Sequence, residues 1–179
     1  MVKMYDTVNF WIDGLMVGGD PFTIAQYLTD HTEQNSARGY SISGRAGDYL
    51  VYLNQSGIRL KGSLPKFLLT DNIQTLTRSG ARDAIQKLSD EIHLPVDMAK
   101  VTRVDISTVL PMSREPNEYY SLLGNKPHFE RLQATKDTLY YNTNEKQLIF
   151  YNKKAEAKAK GVKIPVGFEG ANLLRVEAR

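Results

Sequence analysis

Alternating apolar and polar positions predict a β-strand near the C-terminal end of the chain. The segment 147–154 is short, apolar and aromatic, which is typical of strands. Successive side chains of a strand point to opposite faces. Leu148 and Phe150 therefore share one face, and Tyr151 and Lys153 share the other. The predicted strand has an apolar side that can cover a core and a polar side that carries reactive groups.

Two shorter stretches, 102–107 and 174–179, divide in the same way. Their apolar sides carry Thr102, Val104, Ile106, Leu174, Val176 and Ala178. Their polar sides carry Arg103, Asp105, Ser107, Arg175, Glu177 and Arg179. If the three strands share one sheet, two carboxylates, several cations and a tyrosine hydroxyl meet on one surface. These groups are the components of a metal-assisted phosphoryl-transfer site.

The rest of the pattern mixes strands and helices along the chain. Further strands are predicted at 5–12, 40–43, 49–53, 58–61, 129–132 and 138–141. Helices are predicted from Pro21 for about three turns and at 79–94, 114–123 and 155–161. This order predicts an α+β fold with a mainly antiparallel central sheet and helices packed on one face. The 179 residues suit one domain, 1–179. Because the chain stops within a strongly patterned strand, we expect it to be the N-terminal part of a longer protein.

The composition is that of an ordinary globular protein with a mildly basic charge. The net charge is +3, which favours a polyanionic partner. There are no cysteines, so disulfides and thiolate metal sites are excluded and a reducing cytoplasm is expected. No apolar run approaches the length of a membrane span, and residues 1–4 lack the plan of a signal peptide. No phosphate-binding loop or nucleophile-elbow motif supports nucleotide hydrolysis or acyl transfer.

Tyr151 has two interpretations, because it is one of ten tyrosines and packing alone would explain a strand tyrosine. A phenol has a pKa of about 10 and needs a nearby cation or metal to attack a phosphodiester at neutral pH. Lys153, Arg103 and Arg175 would supply that charge. Asp105 and Glu177 are also open to two interpretations. Each can form an exposed ion pair with the arginine two residues before it, or both can bind Mg²⁺ or Mn²⁺.

Other candidate residues lie away from these strands. The segment 62–67 leaves the predicted meander, and Lys61 and Lys66 there could help its backbone to hold a phosphate. An ordinary loop fits that segment as well. The chain has no His-x-His pair. His128 can be read either as a metal ligand or as a loop residue.

Three motifs in order resemble the phage and plasmid replication initiators of the filamentous-phage gene II/X family, which are rolling-circle nickases related to the HUH endonucleases. The first is Arg103-Val104-Asp105 and the last is Leu174-Arg175-Val176-Glu177-Ala178-Arg179. Between them stands an apolar-Tyr-x-Lys-x-x-Glu segment, which begins at Phe150 and ends at Glu156. The opening Met-x-x-Met segment and the Gly-Ser-x-Pro-Lys segment are also similar, so the resemblance covers most of the chain.

The resemblance implies that Tyr151 attacks an origin phosphodiester and leaves a 5′-phosphotyrosyl link and a free 3′-OH. It also implies that Asp105 and Glu177 bind Mg²⁺ or Mn²⁺ and that Lys153 contacts a phosphate or the leaving group. The histidine pair of ordinary HUH enzymes is absent, so the third ligand stays open among Glu156, His128 and Asp6. The implied partners are single-stranded or supercoiled origin DNA and the host replication machinery, in the cytoplasm of a bacterial host. A relaxase for plasmid mobilisation and a non-catalytic nucleic-acid-binding domain remain as alternatives.

Overall fold

The computed structural model describes residues 5–179. The predictions about residues 1–4, on the signal peptide and the Met-x-x-Met segment, lie outside the described residues. The chain divides into two compact units. The first contains the described residues up to Asn72 together with Leu76–Val104, and the second contains Ile73–Thr75 and Asp105–Arg179.

The first unit is an antiparallel sheet with helices against one of its faces. Its strands are β1 (Tyr5–Asp13), β2 (Thr29–Ser36), β3 (Gly39–Ala46), β4 (Tyr49–Asn54) and β5 (Gly57–Ser63). Its helices are α1 (Leu64–Leu69) and α2 (Arg78–Ile92), with 3₁₀ segments at Gly14–Val17, Pro21–Tyr27 and Val96–Met98. The strand order is β2-β3-β4-β5-β1, and each neighbouring pair is antiparallel.

The core of this unit lies between the sheet and the two α-helices. Phe10, Val51 and Leu60 from the strands are buried in one cluster with Ala84 and Leu88 of α2. These α2 positions recur with the helical period that the sequence predicts for 79–94. The cap of α2 is Thr77, whose side chain accepts a hydrogen bond from the Gly80 backbone N–H.

Gly62 is required by the packing of this core. A Cβ at Gly62 would lie 2.7 Å from Cγ of Tyr49, whose buried hydroxyl donates to the Val8 carbonyl at 3.2 Å. The strand β5 continues to Ser63 and α1 begins at Leu64, so the loop predicted for 62–67 is wrong. The glycine is explained by its close approach to an aromatic ring.

The second unit is also an antiparallel sheet. Its strands are β6 (Lys100–Met112) from Asp105 onward, β7 (Glu130–Thr135), β8 (Thr138–Asn142), β9 (Gln147–Asn152) and β10 (Asn172–Ala178). Its helical segments are α3 (Lys153–Ala159) and a 3₁₀ turn at Pro116–Tyr119. The strand order is β6-β10-β9-β8-β7. An apolar cluster forms on one face of this sheet and includes Tyr120, Leu139, Tyr141, Phe150 and Leu174.

The structure confirms the predicted α+β fold with antiparallel strands, and it corrects several elements. The strand β2 was not predicted. The segments expected to be α-helical from Pro21 and at 114–123 contain only 3₁₀ turns. None of the helices among the described residues is long and apolar enough to cross a membrane.

Candidate active site

The register of three strands in the second unit brings the predicted site residues to one face. Arg175 on β10 lies directly opposite Tyr151 on β9, and Glu177 lies opposite Ser107 on β6. Asp105 is two residues before Ser107 and therefore shares its face. The structure thus places a phenol, two carboxylates and a guanidinium on one side of the sheet, as the alternation along the sequence predicts.

The polar face of these strands is largely buried. Asp105, Arg175 and Glu177 are 1%, 0% and 4% exposed, and Tyr151 is half-buried. The prediction that the apolar side of β6 covers a core is wrong, since Val104 and Ile106 are 41% and 43% exposed. The interpretation of Asp105 and Glu177 as members of exposed ion pairs is therefore wrong, because both carboxylates are buried. Charged groups at this depth are stable only when they are paired and hydrogen-bonded.

Arg179 joins the two carboxylates. Its Nε lies 2.8 Å from Oε1 of Glu177 and 3.6 Å from Oδ2 of Asp105. One cation in contact with both acids offsets the repulsion between two negative charges that burial would otherwise increase. The alternation along the sequence places Arg179 on the same face as Arg175 and Glu177, but it does not predict that Arg179 contacts both acids.

The other oxygen of Glu177 is close to both the tyrosine and the buried arginine. The Tyr151 hydroxyl donates to Oε2 of Glu177 at 3.5 Å, and Nε of Arg175 lies 3.7 Å from the same oxygen. Glu177 is therefore the residue through which the phenol, Arg175 and Arg179 are connected. A carboxylate in this position can orient the phenol and accept its proton.

Lys153 belongs to a helix and not to the strand that the sequence predicted. The strand β9 ends at Asn152, whose side chain accepts a hydrogen bond from the Ala155 backbone N–H at 3.0 Å and caps α3. The buried Lys153 ammonium lies 2.7 Å from Oε2 of Glu156 and 5.9 Å from the centre of the Tyr151 ring. The helix start, and not the strand alternation, therefore positions this cation beside the tyrosine.

Glu156 is held by two lysines. Burial raises the pKa of Glu156, but hydrogen bonds from Lys153 and Lys160 outweigh burial, so the pKa is lowered from its usual 4.5. Glu156 is thus engaged as the partner of two cations, and this use competes with its predicted role as a third metal ligand.

The lowered pKa of Glu156 predicts an acid-dependent contribution to stability. A carboxyl whose pKa is lower in the folded than in the unfolded chain stabilises the fold above the unfolded value, and the contribution is lost as pH falls through the folded value. We expect Glu156→Gln to lose less stability than the wild type as the pH is lowered below 4.5. Urea denaturation at a series of pH values measures this. Parallel pH profiles for the two proteins would contradict it.

Four predicted site residues lie in the first unit, and His128 lies in a turn of the second. Lys61, Lys66 and Arg103 belong to the first unit, where Lys66 lies in α1. Asp6 also lies there and accepts a hydrogen bond from Ser63. His128 is exposed, with a positive φ of 65° just before β7. Their roles stay predictions.

The donor set on the face fits a divalent cation held by two carboxylates. Within residues 5–179, no group of three or more His, Cys, Asp or Glu is arranged to hold a metal ion. Mg²⁺ needs only one or two carboxylates when waters and substrate phosphates complete its shell. Asp105 and Glu177 meet that requirement, and Arg179 places a positive charge in contact with both of them.

The fold and this face define an antiparallel α+β protein with an acid, tyrosine and cation cluster on its second sheet. Over residues 4–179 the chain matches the family model for the N-terminal region of the gene II-type replication-associated protein of phages, and it belongs to that family. The match confirms the resemblance to filamentous-phage gene II-type replication initiators that the three motifs indicated. Comparison with curated proteins gave no match.

Proposed function

We propose that this chain is a metal-dependent endonuclease that nicks one strand of origin DNA, with Tyr151 as the nucleophile, to initiate rolling-circle replication. Membership of a replication-associated family supports the substrate class. The observation that carries the proposal is the 3.5 Å contact between the Tyr151 hydroxyl and Glu177, on the face shared with Asp105 and Arg175.

The proposed step exchanges one phosphate ester for another. The Tyr151 oxygen attacks the scissile phosphorus and its proton passes to Glu177, while the bond to the 3′ oxygen breaks. The products are a 5′-phosphotyrosyl link and a 3′-OH, which takes up a proton from the surrounding water. The number of phosphate ester bonds is unchanged, so the step is reversible and requires no nucleotide hydrolysis. The free 3′-OH is the primer that a host polymerase would extend.

The buried cations have distinct proposed roles. Arg175 lies beside the carboxylate that orients the phenol, and its proposed role is to hold Glu177 in place against the Tyr151 hydroxyl. Lys153 lies 5.9 Å from the centre of the Tyr151 ring, and its proposed role is to contact the scissile phosphate or the leaving group. Both cations also favour the extra negative charge that the phosphate acquires as the phenol attacks.

Asp105 and Glu177 are the residues that would hold Mg²⁺ or Mn²⁺, in place of their contacts with Arg179. When bound, the ion supplies Lewis-acid polarisation of the scissile phosphate. Each carboxylate would then exchange its contact with a guanidinium for a contact with a divalent cation.

The test is formation of a covalent adduct. The protein is incubated with a labelled single strand that carries the replicon's origin, with Mn²⁺ or with EDTA, and is resolved on a denaturing gel. We expect labelled protein with Mn²⁺ and none with EDTA. We also expect Asp105→Asn and Glu177→Gln each to reduce the amount of adduct at least about tenfold. Undiminished adduct in EDTA would contradict the metal requirement.

A non-catalytic DNA-binding domain is the second candidate. It is favoured by Arg179, which pairs with both carboxylates and thereby satisfies them without a metal. Retarded migration of the origin strand on a native gel, with no adduct on the denaturing gel in Mn²⁺ or Mg²⁺, would support this candidate over the nickase.

A further inference from the structure

The sheet of the first unit has an open face on the side away from α1 and α2. Two rows of side chains cross it from strand to strand. One row consists of Trp11, Arg59, Tyr52 and Ser43. The neighbouring row consists of Asn9, Lys61, Leu50 and Arg45. We call these eight residues the basic face. Cross-strand neighbours on one face lie about 5 Å apart, so each row forms a continuous surface.

In the first row of this face, a cation lies between two aromatic rings. The Arg59 guanidinium carbon lies 5.8 Å from the centre of the Trp11 ring, and the next ring in that row belongs to Tyr52, which is exposed. A depression of about 630 Å³ follows the β3, β4 and β5 part of the face, and a smaller one of about 310 Å³ lies beside Trp11. Arg59 and Lys61 line both depressions, so the two are adjacent.

The charge of the basic face is positive. Arg45, Arg59 and Lys61 are exposed, and none of them forms an ion pair with a described residue. Asp30 is the carboxylate among the residues that line the larger depression. The exposed Lys87 on α2, by contrast, is paired with Glu91. Three unpaired cations around one depression favour an anionic ligand.

We propose that the basic face binds single-stranded nucleic acid, with bases stacked on Tyr52 and Trp11 and phosphates held by Arg45, Arg59 and Lys61. Stacking on a ring requires an unpaired base, whereas phosphate contacts alone would serve a duplex equally well. The first row places Arg59 between the rings of Trp11 and Tyr52, and the neighbouring row adds Lys61 and Arg45. Two rings with cations beside them suit a chain of alternating bases and phosphates. None of these residues belongs to the Tyr151 site.

The test is fluorescence anisotropy of a labelled oligothymidine that carries no origin sequence, titrated with the full chain in EDTA. We expect Tyr52→Ala to weaken binding about tenfold and Tyr52→Phe to restore it, because the ring supplies the stacking. Arg59→Ala and Lys61→Ala are each expected to reduce the slope of log affinity against log salt by about 0.7. No cleavage occurs in this assay, so failure of the nicking proposal would leave its result unchanged.

The matched control is Arg82→Ala, which removes an exposed cation from α2 on the opposite side of the same sheet. It should leave the affinity close to that of the wild type, and circular dichroism would verify that every variant is folded. Weakening by Arg82→Ala as large as that by Arg59→Ala would overturn the proposal. So would unchanged binding by Tyr52→Ala, or equal affinity for a duplex of the same length.

Discussion

Tyr151→Phe is expected to reduce the covalent protein–DNA adduct below detection while leaving the fold intact. The substitution keeps the ring, its place opposite Arg175 and its distance of 5.9 Å from the Lys153 ammonium. It removes only the hydroxyl that donates to Glu177 at 3.5 Å. Loss of one long hydrogen bond on a half-buried residue costs about 1 kcal/mol or less. The denaturing gel with origin strand and Mn²⁺ measures the adduct, and urea denaturation measures the stability.

The chain offers a matched control in Tyr140. Tyr140 lies on β8, opposite Ile149 of β9. Ile149 is two residues before Tyr151, so Tyr140 and Tyr151 share a face, and both are half-buried. Tyr140→Phe should therefore form adduct at the wild-type level. Adduct formed by Tyr151→Phe would show that the nucleophile is assigned wrongly, and loss of adduct in Tyr140→Phe alone would move the assignment to that residue.

Strands with one buried face were predictable from the sequence, whereas a strand without one was not. The strand β1 alternates between buried and partly exposed positions, and its aromatic and β-branched residues predicted a strand at 5–12. All eight residues of β2 are exposed, so no hydrophobic alternation marks it. It is an edge strand held by its pairing with β3. Backbone pairing of this kind does not produce a pattern of apolar and polar residues from which the strand could be predicted.

The period of two identified which side chains share a face, but it did not identify which face is buried. Asp105 and Ser107 of β6 were placed together correctly, yet they are buried, and their apolar neighbour Ile106 is exposed. In the absence of structure, polarity was the available guide to exposure. Polarity fails where charged groups are buried together and satisfy one another, as Arg179 does for Asp105 and Glu177. Such exceptions are expected at functional sites.

At Lys153 the strand alternation and the helix-capping signal of Asn152 predict different structures, and the structure forms the helix. The strand alternation from 147 onward predicts that the strand continues through Lys153, although Asn152 followed by Lys-Lys-Ala-Glu has the form of a capped helix start. The cap is formed in the structure. The cation still lies beside Tyr151, because the first turn of α3 brings it back over the ring. The predicted neighbourhood was therefore right for a different structural reason.

Arg175→Met is expected to destabilise the protein by about 3–5 kcal/mol, because it removes one partner of a buried ion pair. The Arg175 side chain is completely buried, and its Nε lies 3.7 Å from Oε2 of Glu177. Methionine fills much of the same volume, so loss of charge is the main change. The charge balance of the two buried carboxylates would then depend more heavily on Arg179, which contacts both. Urea denaturation gives the free energy of unfolding and its dependence on denaturant.

Two further variants separate loss of charge from loss of packing. Arg38→Met changes an exposed arginine in the turn between β2 and β3, and should alter stability by no more than about 0.5 kcal/mol. In the double variant Arg175→Met with Glu177→Gln, a neutral amide replaces the buried carboxylate. We therefore expect the double variant to recover part of the stability that Arg175→Met loses. A double variant at least as unstable as the sum of the two single changes would show that the pair is not coupled. Arg175 would then contribute to the second unit by packing, and Glu177 would depend on Arg179 for its charge balance.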